Sequence, residues 1–148
     1  MRYRKAVEKD MKPVAELFNS YRVFYGKKSA FEAAEEFIYE RLNNSDSEIF
    51  VAENGDGNLV GFVQLYPLFS STRMEKLWLL NDLFVNPDFR GKGVSISLIE
   101  KAKNLVRETN ACGMFLETSK SNLIGNKLYP KTGFELNNDS NYYEWNKS

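Results

Sequence analysis

A short basic turn between two predicted elements has the composition of a phosphate-binding site. An apolar run ends at Val85, and the turn Arg90-Gly91-Lys92-Gly93 then opens a predicted helix. The first N–H groups of a helix have no partner within it and carry partial positive charge, so they can bind a phosphate or pyrophosphate. Glycines keep side chains away from that spot and relax the backbone requirement. The turn therefore predicts a phosphate-bearing ligand; the alternative is a plain helix start.

Two familiar nucleotide motifs do not fit this turn. A P-loop needs G-x-x-x-x-G-K-[ST], but Gly93 is followed by Val94-Ser95. A dinucleotide fingerprint needs G-x-G-x-x-G, and its third glycine is missing because Ile96 stands at that position.

The polar pair Asn81-Asp82 is the second candidate for chemistry, because it interrupts the apolar run of residues 77–85. A buried carboxylate is costly unless it is paired or hydrogen-bonded, so its presence indicates that the strand opens into a cleft. There, Asp82 could attract a cationic amine or relay its proton; the alternative is a structural Asp that caps neighbouring backbone. Glu117, at the end of the next predicted strand, is a second candidate with the same structural alternative.

The composition excludes several other kinds of site. The 148 residues include no His and a single Cys, which rules out Ser-His-Asp and Cys-His catalysis, imidazole zinc sites and an intramolecular disulfide. Lys plus Arg and Asp plus Glu both number 20, so no net charge attracts the chain to nucleic acid or an anionic membrane. No segment reads as a signal peptide or membrane span, so we expect a cytoplasmic protein without a metal.

The hydrophobic pattern predicts one α/β domain over residues 1–148, with a mixed sheet and the element order β-αα-βββ-α-β-α-ββ. The predicted strands are residues 3–7, 48–53, 58–69, 76–85, 114–118, 134–136 and 141–146. The predicted helices are residues 11–25, 29–43, 91–109 and 123–131, and the first two begin at Asp10 and at a Ser29–Glu32 capping box. Residues 76–118 form a strand–helix–strand unit, so its two strands should be parallel.

The basic turn resembles the acyl-CoA loop of the GNAT superfamily of N-acetyltransferases. The pattern of that loop is [QR]-x-x-G-x-[GA], after a strand that ends in V-x-P. Arg90, Gly93 and Ser95 occupy its three key positions, with Ser95 in place of the usual Gly or Ala.

A second segment is similar to another signature of the same family, N-x-x-A-x-x-L-Y followed by G-F. It covers residues 122–129, with a Gly-Phe pair at 133–134. The chain has Gly125 where the family has Ala, and Pro130 directly follows Tyr129. Because both signatures occur in the right order around the predicted strand–helix–strand unit, the resemblance covers almost the whole chain.

The resemblance implies that the chain has the family fold and moves an acetyl group from acetyl-CoA directly to a primary amine in a ternary complex. Tyr129 would give a proton to the departing thiolate, or would only pack against the pantetheine arm. Asn122 would hydrogen-bond that arm or hold its helix. The backbone of residues 83–85 would pair with the pantetheine amides, which requires a splay between this strand and the next. The implied acetyl-CoA contacts are Leu83, Phe84, Val85, Arg90, Gly91, Lys92, Gly93, Val94, Ser95 and Asn122.

The same resemblance locates the acceptor site near the end of the first helix and on the hairpin. The implied acceptor-binding residues are Tyr21, Phe24, Tyr25 and Tyr66. The chain looks like a subgroup with histone- and polyamine-acetylating members, although Asn81 replaces one acid of the acidic pair found in diamine acetyltransferases. We therefore expect a small polyamine-like or amino compound as acceptor, with a protein amine as second choice. The alternative is a domain of this fold that binds CoA or a partner without catalysis.

The last predicted strand is rich in aromatic residues. Tyr142, Tyr143 and Trp145 lie within residues 141–146. These side chains either belong to the core of the chain or form the contact surface of a homodimer.

Overall fold

The computed structural model describes all 148 residues and contains a five-stranded mixed sheet. The strands are β1 (Arg2–Lys5), β2 (Glu48–Glu53), β3 (Leu59–Ser70), β4 (Glu75–Val85) and β5 (Met114–Phe115). They lie in the order β1-β2-β3-β4-β5, and every neighbouring pair is antiparallel except β4 and β5. The prediction of one parallel pair across the strand–helix–strand unit is confirmed.

Four α-helices accompany the sheet. They are α1 (Met11–Phe24), α2 (Phe31–Asn44), α3 (Val94–Glu108) and α4 (Leu123–Lys131). Single 3-10 turns at Glu8–Asp10 and Pro87–Phe89 precede α1 and α3. None of the helices combines the length and the apolar character that a membrane crossing needs.

Helices α1 and α3 cover opposite faces of the sheet. The ring of Phe62 packs edge-on against Phe18 of α1 at 6.4 Å between centroids. The neighbouring Gly61 points the other way, since a Cβ added there would lie 3.3 Å from Leu98 of α3. Gln64 and Asp82 share the face of Phe62, because side chains alternate along β3 and Asp82 lies opposite Gln64 on β4. Both polar residues therefore face the α1 side.

The chain divides into two units, residues 1–117 and 118–148. The first unit contains the sheet and helices α1 to α3. The second contains α4 and the C-terminal segment of residues 134–148, called the tail below.

The two strands predicted in the tail are not formed. Residues 134–148 have neither helical nor strand structure, and β5 is shorter than predicted because it ends at Phe115. Aromatic residues favour strands only where a neighbouring strand gives them a surface to pack on. The sheet contains no strand from the tail, so the composition of the tail predicted strands that are not formed.

The predicted start signals of α1 and α2 are wrong in detail. Asp10 does precede α1, but its carboxylate binds Arg4 and the Val7 amide rather than capping the helix. Ser29 does not cap α2 either, because its hydroxyl accepts a hydrogen bond from Asn19 Nδ2 at 3.0 Å. In both cases a partner outside the local segment outcompetes the cap.

Candidate active site

The basic turn has the geometry that a bound phosphate needs. Gly91 and Gly93 have φ of 72° and 79°, a conformation that other residues rarely adopt. A Cβ added at either glycine would meet no atom within 4 Å, so the space in front of the turn is open. The Asn86 side chain accepts a hydrogen bond from the Asp88 amide at 3.0 Å and holds the entrance of the turn. Glycine is needed here for the backbone angle, and its missing side chain leaves the approach clear.

Helix α3 begins directly after this turn, and its first backbone amide groups are available to bind a ligand. No side chain caps the helix, and its first turn contains no acidic residue. The backbone N–H groups of Val94, Ser95 and Ile96 therefore have no partner within the chain. Lys92 adds positive charge beside them, and its Nζ lies 3.2 Å from the Asp88 carbonyl oxygen. These features fit the pyrophosphate of acetyl-CoA.

The edge of β4 that leads into this turn has no strand partner. Its pairing with β5 ends at Leu79 opposite Phe115, whereas β4 continues to Val85. Residues 80–85 therefore have no strand partner on that side, and the Val85 carbonyl accepts a hydrogen bond from Arg90 Nε at 2.8 Å. The expected splay between the two strands stays a prediction. An extended ligand with amide groups, such as pantetheine, can pair with an edge of this kind.

β4 contains a bulge at the polar pair. Gln64 lies opposite Asp82 and Leu65 lies opposite Leu80, so Asn81 is an extra residue with no partner on β3. A bulge bends its strand and changes the direction of the side chains beside it. As a result Asn81 is exposed, whereas Asp82 is only 4% exposed.

Neutral polar groups surround the Asp82 carboxylate. Gln64 Nε2 donates to Asp82 Oδ2 at 2.8 Å, and Asn81 Nδ2 donates to Oδ1 at 3.1 Å. The Tyr21 hydroxyl, which lies 3.4 Å from the Asn81 carbonyl oxygen, contributes a further hydrogen bond. No Lys or Arg forms an ion pair with Asp82. Burial raises the pKa of Asp82, and the hydrogen bonds oppose this effect without reversing it.

Gln64 and Ser47 extend this network, and the sequence analysis missed both as site residues. Gln64 is fully buried, and its Oε1 accepts a hydrogen bond from the Ser47 hydroxyl at 2.9 Å. The signal that singled out Asp82 applies equally to Gln64, since it is the one polar residue in the apolar run of residues 60–65. That Gln64 and Asp82 meet depends on the strand register, which no local pattern encodes.

An aromatic cluster from α1 lies beside this network. The Tyr21 ring is 4.9 Å from that of Tyr25 and 6.4 Å from that of Phe84. Phe24 lies 6.5 Å from Phe84, and it is 55% exposed. The Arg90 guanidinium sits over the rings of Phe24 and Phe84, at 5.1 and 5.4 Å from their centroids. The predicted acceptor residues of α1 therefore lie next to β4 and next to the first residue of the basic turn.

Tyr66 and Glu117 have very different surroundings. Burial raises the pKa of Tyr66 to about 12, and the nearby Asp82 charge adds to this effect. Asp82 is therefore close enough to Tyr66 to influence its ionisation, and the acceptor-binding role of Tyr66 stays a prediction. Glu117 is exposed, lies beyond the end of β5 and forms no hydrogen bond or ion pair.

The second unit contains the other candidate residues on a well-formed helix. The Asn122 side chain accepts a hydrogen bond from the Gly125 amide at 3.1 Å and donates one to Thr118 Oγ1 at 2.9 Å. Asn122 therefore holds the start of α4. A Cβ on Gly125 would lie 2.5 Å from Asn122 Nδ2, so glycine leaves room for this cap.

Helix α4 includes Tyr129 and continues through Pro130. The Thr132 amide donates to the Leu128 carbonyl at 3.0 Å, and the Phe134 amide donates to the Tyr129 carbonyl at 3.0 Å. Because Pro130 lies in the last turn, few backbone hydrogen bonds are affected by its missing N–H. The Tyr129 ring packs edge-on against Phe134 at 5.7 Å.

Comparison with known proteins identifies the family. The model of the Acetyltransferase (GNAT) family matches residues 12–134, so the chain belongs to this family of acyltransferases. It is 41% identical over 135 residues to the uncharacterized N-acetyltransferase YhfO of Bacillus subtilis (strain 168), covering 91% of this chain and 90% of that one. It is 28% identical to a "Probable acetyltransferase" of Haemophilus influenzae over 97% of both chains.

A solved structure shows the same fold. The crystal structure of a "probable acetyltransferase" matches with a TM-score of 0.94 and 36% identity, covering 100% of this chain and 99% of the other. The structure contains no group of three or more Cys, Asp or Glu that could hold a metal ion.

Proposed function

We propose that this acetyltransferase moves an acetyl group from acetyl-CoA to a primary amine of a small polyamine-like or amino compound, by direct transfer in a ternary complex. The observation that carries the proposal is Asp82, a buried carboxylate without a cationic partner. It lies on β4, the strand that leads into the basic turn. The whole chain would act as one catalytic domain, and a cytoplasmic location stays a prediction.

The acetyl-CoA site would extend from the turn along the edge of β4. The pyrophosphate would bind the amides at the start of α3, with Arg90 and Lys92 supplying positive charge. The pantetheine arm would pair with the backbone of residues 83–85, whose outer edge is open. When bound there, acetyl-CoA supplies an activated thioester. Asn122 would act indirectly, because its side chain caps α4.

Asp82 would bind the acceptor and take its proton. An alkyl ammonium has a pKa of about 10.4, so at neutral pH it must lose a proton before its nitrogen can attack the thioester. A carboxylate in a dry environment attracts the cation, and its raised pKa makes it a better base near neutral pH. The aromatic rings of Tyr21, Phe24 and Tyr25 would line the approach, with Tyr66 on the strand side, because aromatic faces bind cations.

The two proton transfers balance the reaction. The acceptor ammonium gives up two protons on becoming an amide. The first passes to Asp82 before the attack; the second is released as the N–C bond forms and the C–S bond breaks, and it replaces the proton that the departing thiolate receives. We assign the donation to the thiolate to Tyr129 on the strength of its position in the family signature. Replacing Tyr129 with Phe should lower kcat by roughly 10²–10⁴-fold and leave acetyl-CoA affinity unchanged. An unaltered kcat would exclude Tyr129 as the acid and favour a packing role.

The first experiment measures thermal unfolding of the pure protein with and without acetyl-CoA. A ligand in hundredfold excess over its Kd stabilises the native state by about 2.7 kcal/mol, so acetyl-CoA should raise Tm and ATP should not. Gly93→Val should abolish this shift because it obstructs the turn. Gly57→Val is the matched control, since Gly57 has φ of 81° in the β2–β3 turn and shares the backbone strain. Equal loss in both variants would refute the assignment of the turn.

The second experiment measures thiol release from acetyl-CoA with a panel of amines. The panel holds a polyamine, an amino sugar, a free amino acid and a lysine-containing peptide. Turnover with the small amines supports the proposal, and a clear preference for the peptide would replace it with a protein acceptor. Acetyl-CoA binding without turnover on any amine would indicate a catalytically silent CoA-binding domain.

A further inference from the structure

The last turn of α1 has little buried surface to hold it in place. The buried side chains of this helix all lie in its first half, at Val14, Ala15, Leu17 and Phe18. Phe24 and Tyr25, at its end, are both exposed. A helix end with few buried apolar contacts opens easily. The proposed acceptor wall (Tyr21, Phe24 and Tyr25) therefore depends on contacts with other elements for a fixed position.

Arg90 of the basic turn supplies such a contact. Its guanidinium carbon lies 5.1 Å from the ring centroid of Phe24 on α1 and 5.4 Å from that of Phe84 on β4. The two rings are 6.5 Å apart. A guanidinium is attracted to the faces of aromatic rings. Arg90 thus connects the end of the helix to the sheet.

The backbone of β4 holds Arg90 in this position. Arg90 Nε donates to the Val85 carbonyl at 2.8 Å. The Asn86 amide bonds to the Val60 carbonyl on β3, and successive residues of a strand direct their backbone groups to opposite sides, so the Val85 carbonyl points to the open edge. A carbonyl oxygen has two lone pairs. Val85 can therefore accept from Arg90 and from a pantetheine amide at the same time.

The rest of the Arg90 guanidinium is available to a ligand. Its Nε has a hydrogen-bond partner, and the side chain forms no ion pair with any Asp or Glu. The five N–H donors of an arginine lie in one plane. Its edge can bind a phosphate while its faces contact aromatic rings, so one side chain can serve both sites.

We infer that Arg90 is a positioning residue for the acceptor, because it braces the end of α1 against β4 and so fixes the acceptor wall. The inference rests on the proposed function, in which the wall is assigned. It makes a residue of the cofactor loop a determinant of acceptor binding, in addition to its contact with the pyrophosphate.

Steady-state kinetics with Arg90→Lys separates the two roles. The charge is kept, but one ammonium cannot contact a carbonyl and two rings at once. The KM for the small amine that the parent uses best should rise by roughly three- to tenfold, with little change in the KM for acetyl-CoA.

Lys92→Gln is the matched control, since Lys92 lies in the same turn and its Nζ contacts Phe89 and the Asp88 carbonyl rather than α1. It should raise the KM for acetyl-CoA and leave that for the amine. If Arg90→Lys changed only the KM for acetyl-CoA, the inference would be overturned.

A double-mutant cycle with Phe24→Leu tests whether Arg90 acts through the helix. Leucine keeps an apolar side chain at this position and removes the aromatic face. The single substitution should also raise the KM for the amine. Adding Arg90→Lys to it should then raise that KM no further, because the contact is already lost. Independent, additive effects of the two substitutions would refute the bracing role.

Hydrogen exchange tests the contact without turnover. The Tyr25 amide donates to the Tyr21 carbonyl at 3.1 Å. The Gly26 amide donates to the Val23 carbonyl at 3.0 Å. Arg90→Lys should speed the exchange of both amides, whereas the amides of β2 should exchange as in the parent.

Unchanged exchange at these two amides would refute the inference. A parent protein that acetylates no amine, but in which Arg90→Lys still speeds this exchange, would refute the proposed function and leave the bracing contact in place. The two failures are therefore distinguishable.

Discussion

Asp10 and Asp82 are equally buried, at 4% exposed, yet their surroundings are opposite. Asp10 accepts hydrogen bonds from Arg4 Nη1 at 2.6 Å, from Arg4 Nη2 at 3.0 Å and from the Val7 amide at 2.8 Å. The Arg4 hydrogen bonds hold the pKa of Asp10 below its usual value. Asp82 has only neutral partners, and burial raises its pKa.

The difference distinguishes a carboxylate that stabilises the fold from one that is available for chemistry. Asp10 and Arg4 compensate each other's desolvation, and Glu53 also binds Arg4 at 2.7 Å. Asp82 has no cation beside it, so burial makes its ionised form less favourable, and a group of this kind is retained most readily where it serves function. Two residues of one type and equal solvent exposure thus have different electrostatic surroundings, and we propose different roles for them.

The largest effect should come from Asp82→Asn. It removes the proposed base without changing the shape of the side chain, so kcat should fall by roughly 10²–10⁴-fold. The melting temperature should change little, because the amide avoids a buried charge but places its NH2 group against a donor from Gln64 or Asn81. Steady-state kinetics and thermal unfolding of the same sample measure both.

Glu117→Gln is the matched control for this variant. Glu117 is exposed and unpaired, so its kcat should remain close to that of the parent. A large loss in Glu117→Gln with little change in Asp82→Asn would transfer the role of base to Glu117.

Asp10→Asn should produce the reverse pattern. It weakens charge-assisted hydrogen bonds to Arg4, so the free energy of unfolding should fall by roughly 1.5–3 kcal/mol. The kcat at a temperature where the variant is folded should not change. Urea unfolding provides the measurement, and a loss of activity in the folded variant would contradict the structural role.

The pH dependence of stability should separate the two carboxylates by sign. The folded-state pKa of Asp10 lies below its unfolded value, so its contribution is present above the unfolded pKa and is lost as pH falls. The folded-state pKa of Asp82 is raised, so its contribution is greatest below the unfolded pKa and is lost as pH rises through the folded pKa. Relative to the parent, Asp10→Asn should flatten the acid side of the stability curve, and Asp82→Asn should gain stability as pH rises. If the two variants showed the same dependence of stability on pH, the proposed difference between Asp10 and Asp82 would be wrong.

The smallest effect is expected from Gln64→Leu. The Gln64 hydrogen bond lowers the pKa of Asp82, so its loss should raise that pKa further. The rising limb of activity against pH should then move to higher pH. Ser47→Ala is the control, because it leaves the bond between Gln64 and Asp82 in place and should not move the limb.

Much of the fold follows from local patterns. Strands β2, β3 and β4 lie within one residue of their predicted bounds, and α3 lies within three residues of its predicted bounds. Two predicted strands in the tail do not form. Strand structure depends on a partner, and the aromatic composition of the tail carries no information about where that partner is.

The candidate site was predictable in part. The glycine turn and Asp82 were predicted from residue type and neighbouring sequence, and Tyr129 was predicted from the family resemblance. Gln64 was missed as a site residue, and Arg90 was expected only at the cofactor, although its guanidinium also packs on Phe24 and Phe84. The contacts of Gln64 with Asp82 and of Arg90 with Phe24 join residues that are 18 or more positions apart in the chain, so composition and spacing do not encode them.

The sequence by itself determined the family signatures, the order of the main elements and the open helix start at residues 90–96. These features depend on backbone preferences and on interactions within a few residues. Only the tertiary structure decided that Asp10 would be paired and Asp82 would not. The bulge at Asn81 and the register of β3 against β4 place Gln64, rather than a cation, against the Asp82 carboxylate. The pKa of a buried group depends on the atoms that the fold packs around it. Two hydrogen-bond partners of Asp82, Gln64 and Tyr21, come from distant segments of the chain.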